Sequence, residues 1–250
     1  MATHIAVAGK GGTGKTTFSA LMIRYLVEKR KGDILAVDAD PNANLNEALG
    51  LKVETVIADI LDDTKDPKAI PEGMTKGMFI EYKLSHALVE TKDVDLLVMG
   101  GPQGPGCYCY PNDLLRKAIE TLSQNYDYVV MDNEAGLEHI SRGTIPRVEH
   151  MFVISDASAR GVRSAGRVHD LVKNLNSKVD NIYLVVTKTS EDSLSLLRGE
   201  IEQTGLTLIG SVPQDVKVTE FDVQGKPLFT LPADSPAVQS VYSILDHLRL

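Results

Sequence analysis

Seven short apolar runs, at residues 5–8, 34–37, 96–99, 128–131, 151–154, 183–186 and 206–209, alternate with longer stretches in which apolar residues recur three and four positions apart. Strands built from such runs have no wet face, so each must be covered on both sides, and the intervening helical segments are what can cover them. The pattern predicts an α/β fold, a doubly wound, mainly parallel sheet flanked by helices. The clearest helices are expected at 15–29, 112–122, 162–175, 193–203 and 236–248. Between 53 and 92 the chain turns polar and carries Asp62-Asp63-Thr64-Lys65-Asp66-Pro67, which reads as a helical excursion with loops.

With 250 residues, 43% of them hydrophobic, the chain can build one substantial core, and residues 1–250 are expected to form a single domain. The chain enters a strand pattern within its first five residues, leaving no room for a basic segment followed by an apolar one, and no apolar run approaches a membrane span. Its two cysteines, Cys107 and Cys109, fall in one tripeptide, unlike a disulfide scaffold, so a cytoplasmic location is expected. A net charge of −8 argues against binding nucleic acid mainly through its phosphates.

Directly after the first run comes Gly9-Lys10-Gly11-Gly12-Thr13-Gly14-Lys15-Thr16-Thr17, the G-x-x-x-x-G-K-[ST] pattern placed between a strand and a helix. Glycines let backbone N–H groups fold around phosphate oxygens, and the helix N-terminus adds partial positive charge. Gly9, Gly11, Gly12, Thr13, Gly14, Lys15, Thr16 and Thr17 are therefore candidate nucleotide-binding residues. Lys15 is expected at the outer phosphates, and the Thr16 hydroxyl on magnesium (Mg2+), which prefers near-octahedral oxygen ligands. This predicts a P-loop NTPase fold.

Lys10, near the start of the loop, resembles the mark of the deviant Walker A group, which includes the nitrogenase iron protein, MinD and ParA. The resemblance implies that Lys10 reaches across a nucleotide-sandwich dimer and neutralises charge developing in phosphoryl transfer. Asp38-Ala39-Asp40-Pro41-Asn42, after the second run, looks like the group's first switch, with Asp40 orienting the attacking water and Asp38 supporting the magnesium shell. Tyr128-Val129-Val130-Met131-Asp132 followed by Asn133-Glu134-Ala135-Gly136 resembles Walker B and the second switch, with Asp132 acting through magnesium-bound water. Ser211-Val212-Pro213-Gln214-Asp215, expected to follow the last strand, resembles the segment that lines adenine, which implies ATP and makes Pro213, Gln214 and Asp215 candidates. Where many members carry an Asn before that segment, this chain has Thr187.

The run Gly100-Gly101-Pro102-Gln103-Gly104-Pro105-Gly106-Cys107-Tyr108-Cys109-Tyr110-Pro111 sets the chain apart within the group. Two thiols one residue apart can turn to a common point, and thiolates favour soft or borderline metals. Two are too few for a closed site, whereas a two-fold dimer would supply four, enough for tetrahedral zinc (Zn2+) or square-planar nickel (Ni2+). Inert thiols, a redox pair or cluster ligands are the alternatives.

The deviant Walker A loop, the C-x-C segment and Asp132-Asn133-Glu134-Ala135-Gly136 together resemble the CooC/AcsF group, the nickel-inserting maturation ATPases of carbon monoxide dehydrogenase and acetyl-CoA synthase. That implies a metallochaperone that dimerises on ATP or metal, delivers nickel(II) to a nickel-enzyme target and hydrolyses ATP slowly, as a timer. Two other readings stand beside it, a MinD- or ParA-like positioning ATPase and an iron–sulfur carrier ATPase. Against the first, the 236–250 segment has an apolar stripe through Val238, Val241, Ile244, Leu245 and Leu248 with Arg249 as its only Lys or Arg residue, a pattern of core packing; neither membrane nor nucleic acid is expected as a partner. His4, His86, His139, His150, His169 and His247 lack ligand spacing, with His139 nearest the second switch, and Arg160, Arg163 and Arg167 read as a solvated helix face.

Overall fold

The computed structural model describes residues 2–64, 69–101, 109–134, 147–174, 178–190 and 192–250, with the side chains of Cys109 and Tyr110 outside that description. Seven strands form one sheet: β1 Thr3–Gly9, β2 Ile34–Ala39, β3 Asp95–Val98, β4 Tyr128–Asn133, β5 Val148–Asp156, β6 Val179–Thr189 and β7 Thr207–Pro213. Their order across the sheet is β3-β2-β4-β1-β5-β6-β7, and every paired neighbour runs parallel. The described α-helices are α1 Lys15–Glu28, α2 Leu45–Leu49, α3 Ile57–Asp63, α4 Lys76–Ala87, α5 Cys109–Leu122, α6 Ala159–Asn174, α7 Ser193–Gln203, α8 Val216–Gln224 and α9 Pro236–Leu248.

Alternation along the strands creates two cores. Ala6, Val37, Leu97, Met131, Val153 and Val186 face one side, under α3, α5, α6 and α7. Ile5, Val7, Ala36, Val130, Ile154 and Val185 face the other, under α1, α2 and α9. Phe18, Leu21, Met22, Ile23 and Leu26 of α1 are all at most 1% exposed, and each buried side chain of that size stabilises the fold by about 1.5–3 kcal/mol. On α9, Val238, Val241, Ile244 and Leu245 are buried, so the C-terminal stripe is a core face. A tyrosine latch fastens α1 to α9: Tyr25, 2% exposed, donates its hydroxyl to Asp246 Oδ1 at 2.7 Å, and the same oxygen lies 3.2 Å from the Leu250 carbonyl.

Some boundaries differ from the sequence expectation. The last strand, expected at 206–209, runs on to Pro213 because Gly210, Ser211 and Val212 pair with Val185, Val186 and Thr187. Thus Ser211–Pro213 belongs to the strand and does not follow it. The helix expected at 162–175 starts at Ala159, with the Ser158 hydroxyl accepting from the Gly161 amide at its first turn; position 175 lies outside the described residues. The polar excursion holds α3 and α4, whose N-terminal cap is the Thr75 hydroxyl.

Because all strands are parallel, their carboxyl ends share one edge. β1 is the switch point: β2, β3 and β4 lie to one side of it and β5, β6 and β7 to the other. Ligands of open α/β sheets bind in the crevice above such a point.

Candidate nucleotide-binding site

The glycine-rich loop leaves the sheet at Gly9, whose φ is +148° and where an added Cβ would lie 2.2 Å from the Ile154 carbonyl oxygen of β5. Only glycine fits both demands. At its other end Gly14 caps α1 without any side-chain hydrogen bond, so the first amides of α1 keep no side-chain partner and open to the cleft. Three side chains brace the loop. Thr13 Oγ1 donates to the Lys10 carbonyl at 2.8 Å, Thr187 Oγ1 to the Thr13 carbonyl at 2.6 Å, and Lys188 Nζ to the Gly12 carbonyl at 2.8 Å. The Lys15 ammonium reaches back to the Lys10 carbonyl at 3.4 Å, while Lys10 itself is exposed.

Beside this loop the Thr16 hydroxyl donates to Asp132 Oδ2 at 2.6 Å and the Ser19 hydroxyl to Asp132 Oδ1 at 3.1 Å. Asp132 is 2% exposed, and burial pushes its carboxyl up to about 6 although Thr16, Ser19 and the Lys15 charge oppose the shift. An oxygen-only pair of hydroxyl and carboxylate beside a phosphate loop suits magnesium, which would take Thr16 directly and Asp132 through water. Such an ion would supply charge neutralisation at the outer phosphates. Asp38, expected to support the magnesium shell, has backbone partners. It is wholly buried, and its two oxygens accept from the amides of Asp40 at 3.0 Å and Leu45 at 2.8 Å. Burial raises its carboxyl to about 7, the Leu45 amide opposing and the Asp132 charge reinforcing. It therefore shapes the turn that carries Asp40 and adds a negative charge near Asp132, with no oxygen left open to solvent. Asp40, half-buried on the rim, accepts from the Asn42 amide at 2.9 Å and lines the cleft.

The cleft has a volume of about 780 Å³ and is lined by Gly11, Gly12, Gly14, Lys15, Thr16 and Thr17 of the loop and by Pro213, Gln214 and Asp215. Asp215 has structural duties there. Its carboxylate caps α8 through the Lys217 amide at 2.8 Å, and accepts from Ser235 Oγ at 2.5 Å and from the Ala237 amide at 3.1 Å. Burial pushes this carboxyl up, but those three donors hold it below the ordinary value. Sequence reasoning missed Ser19, Lys188 and Asp222, all at or beside the cleft. Ser19 had a legible signal, four residues after Lys15 and so on the same face of α1; Lys188 and Asp222 had none.

Cys107 lies outside the described residues, as do Ala135, Gly136 and His139; of Cys109, the backbone opens α5. Among the described residues no group of three or more His, Cys, Asp and Glu converges to hold a metal. The approach to the cysteines is described as far as Gly101. Met99 donates its amide to the Asp38 carbonyl at 2.9 Å, and a Cβ on Gly101 would lie 3.2 Å from the Pro41 carbonyl oxygen. The segment leading to the C-x-C motif thus leaves the sheet in contact with the turn that carries Asp40. Asn133, 2% exposed, donates to the Val7 carbonyl at 3.0 Å. Arg160, Arg163 and Arg167 are exposed on α6, and Arg163 pairs with Glu200 at 2.6 Å. No helix among the described residues is long and apolar enough to cross a membrane.

Comparison with known proteins agrees with this geometry. Residues 4–228 match the CobQ/CobB/MinD/ParA nucleotide-binding domain, CbiA. An uncharacterized ATP-binding protein of Methanocaldococcus jannaschii is 44% identical over 247 residues, covering 98% of this chain and 97% of that protein. The carbon monoxide dehydrogenase accessory protein CooC of Rhodospirillum rubrum is 30% identical over 247 residues, covering 93% and 90%. Among solved structures, the septum site-determining protein MinD of Pyrococcus horikoshii, complexed with Mg-ADP, superposes with a TM-score of 0.72 at 21% identity, covering 99% of this chain and 96% of that one. With its phosphate loop, its hydroxyl–carboxylate pair and these relatives, the chain belongs to the CobQ/CobB/MinD/ParA nucleotide-binding family and is a P-loop ATPase.

Proposed function

We propose that this chain is an ATP-dependent metallochaperone: one cytoplasmic domain that dimerises on ATP or metal, holds nickel(II) between the Cys107 and Cys109 thiolates of two copies, and releases it to a nickel enzyme. The feature that carries the reading is the C-x-C pair itself, which in sequence follows β3, whose carboxyl end shares a sheet edge with the phosphate loop, and ends at the first residue of α5. Kinship with a carbon monoxide dehydrogenase accessory protein over 93% of the chain supports carbon monoxide dehydrogenase as a target, while nickel and the alternative target, acetyl-CoA synthase, rest on the resemblance of the C-x-C segment and the switch residues. Zinc fits the same thiolates.

In this reading Lys15 and the loop amides hold the phosphates, Thr16 and Asp132 hold magnesium, Asp40 orients the attacking water, and Lys10 reaches the partner copy's nucleotide. The close approach of Gly101 to Pro41, which leaves little room for a side chain, supports coupling between the Asp40 turn and the start of the cysteine segment. Hydrolysis is slow and serves as a switch.

The test is anaerobic dialysis of the reduced protein against nickel(II) and zinc(II), followed by size-exclusion chromatography, beside a Cys107→Ser, Cys109→Ser variant. The reading expects about one metal per two chains, eluting as a dimer, and none in the variant. No stoichiometric uptake with or without ATP rejects it, and directs the search to a positioning role.

A further inference from the structure

Ser19 lies inside α1, where a serine hydroxyl usually turns to the carbonyl four residues back or to solvent. Solvent is closed to it, since Ser19 is 0% exposed. Its hydroxyl crosses to β4 and donates to Asp132 Oδ1 at 3.1 Å, a partner 113 positions away. Thr16, three residues earlier and so on the same face of the helix, donates to the other oxygen, Oδ2, at 2.6 Å. One helix therefore grips both oxygens of one carboxylate, from two positions about 4.5 Å apart along its axis. The two grips differ in use. Thr16 lines the cleft at the end of the phosphate loop, and with its proton given to Oδ2 its own oxygen keeps lone pairs for a cation. Ser19 lies one turn deeper and does not line the cleft, so its hydroxyl has no ligand to meet. What it does is fix a torsion: the carboxylate of an aspartate turns in a broad, soft well, and bonds to both oxygens hold it at one angle.

We propose that Ser19 is the positioning residue of the magnesium site: by holding Asp132 Oδ1 it keeps Oδ2 turned to Thr16 and the loop, so that the carboxylate is oriented before the ion arrives. The inference rests on the reading of Thr16 and Asp132 as that site and is independent of nickel. Groups that orient the partners of a metal ion contribute roughly ten- to a hundredfold to its affinity. A serine that only fills the core changes the melting temperature and leaves the ion dependence of nucleotide binding as it was.

Calorimetric titration with ADP in EDTA and in excess magnesium isolates this role without relying on turnover, because the ratio of the two affinities is the gain due to the ion. Ser19→Ala should bind ADP in EDTA within about twofold of wild type, while the magnesium-dependent gain falls about tenfold. In an Asp132→Asn background the same substitution should change the gain by less than about twofold, since Ser19 acts through that carboxylate. The binding stoichiometry reports the folded fraction of each variant, so a misfolded sample does not mimic the result. A wild-type protein that gains nothing from magnesium removes the magnesium site, and this inference with it. With the gain present in wild type, an unchanged gain in Ser19→Ala overturns the role of Ser19 and leaves the site standing. Equal losses in EDTA and in magnesium, or a full loss that persists in the Asp132→Asn background, overturn it as well, because Ser19 would then act on the loop and not on Asp132.

Discussion

Replacing Asp132 with asparagine should stabilise the protein when magnesium and nucleotide are absent, while weakening it as a nucleotide switch. The carboxylate is 2% exposed and its folded value is raised from 3.8 to about 6. A raised folded value means that the native state holds its proton more tightly than the unfolded chain. The associated stability is complete below about pH 4 and is lost as pH rises through about 6. At 1.36 kcal/mol per unit, the wild-type protein at pH 8 carries a penalty of about 3 kcal/mol from this group. Asparagine removes the charge and keeps the shape, and of the Thr16 and Ser19 hydroxyls one can go on donating to its oxygen while the other turns to accept from its NH2. Asp38, raised to about 7 partly by the Asp132 charge, titrates in both proteins, and loss of that charge relieves it in the variant, which adds to the gain in the same direction. In thermal melts at pH 8 without ligand, Asp132→Asn should melt roughly 6–12 °C higher than wild type, and the gap should close by pH 4. With Mg·ADP the order should shrink or reverse, because the divalent ion favours the carboxylate. A variant less stable than wild type at pH 8 without ligand, or a gap that does not change with pH, would refute the argument that burial governs this carboxylate.

Other expectations concern single side chains. Lys10 is exposed and its ammonium has no partner among the described residues, so Lys10→Ala should bind Mg·ADP like wild type while ATP turnover drops about a hundredfold or more; equal turnover would remove Lys10 from the reaction. Tyr25→Phe removes the hydroxyl that Asp246 Oδ1 and the Leu250 carbonyl share, leaving Asp246 to Lys29, and should cost about 1–2 kcal/mol, lowering the melting midpoint by roughly 2–8 °C with Mg·ADP affinity unchanged.

The sheet was legible in the sequence because burial on both faces writes each parallel strand as an unbroken apolar run. Charged residues at strand ends hid their true length: β6 begins at Val179 with Asp180 and Asn181, and β5 carries Glu149 and His150, positions outside any apolar run. α8 escaped notice because none of its residues is buried and Val216 and Val223 are 70% and 82% exposed, so it has no core stripe to read. α2 spans only Leu45–Leu49, too short for a period, and follows a turn whose Asp, Pro and Asn residues look like loop. At the site, the phosphate loop was readable because its residues are contiguous. The second role of Thr187, the clip by Lys188 and the use of Asp38 as a turn-former depend on side chains brought together across 174 or 176 positions, or on backbone amides that have no sequence signature.

The central claim is that nucleotide state controls a shared thiolate metal site, and the most direct measurement is the nickel(II) dissociation constant of the reduced protein with a non-hydrolysable ATP analogue and with ADP, each with magnesium. The account predicts tighter binding in the ATP-like state by at least tenfold, at about one nickel per two chains, and loss of the difference in Cys107→Ser, Cys109→Ser. Equal nickel affinity in the two nucleotide states, or uptake unaffected by removal of both thiols, would contradict it.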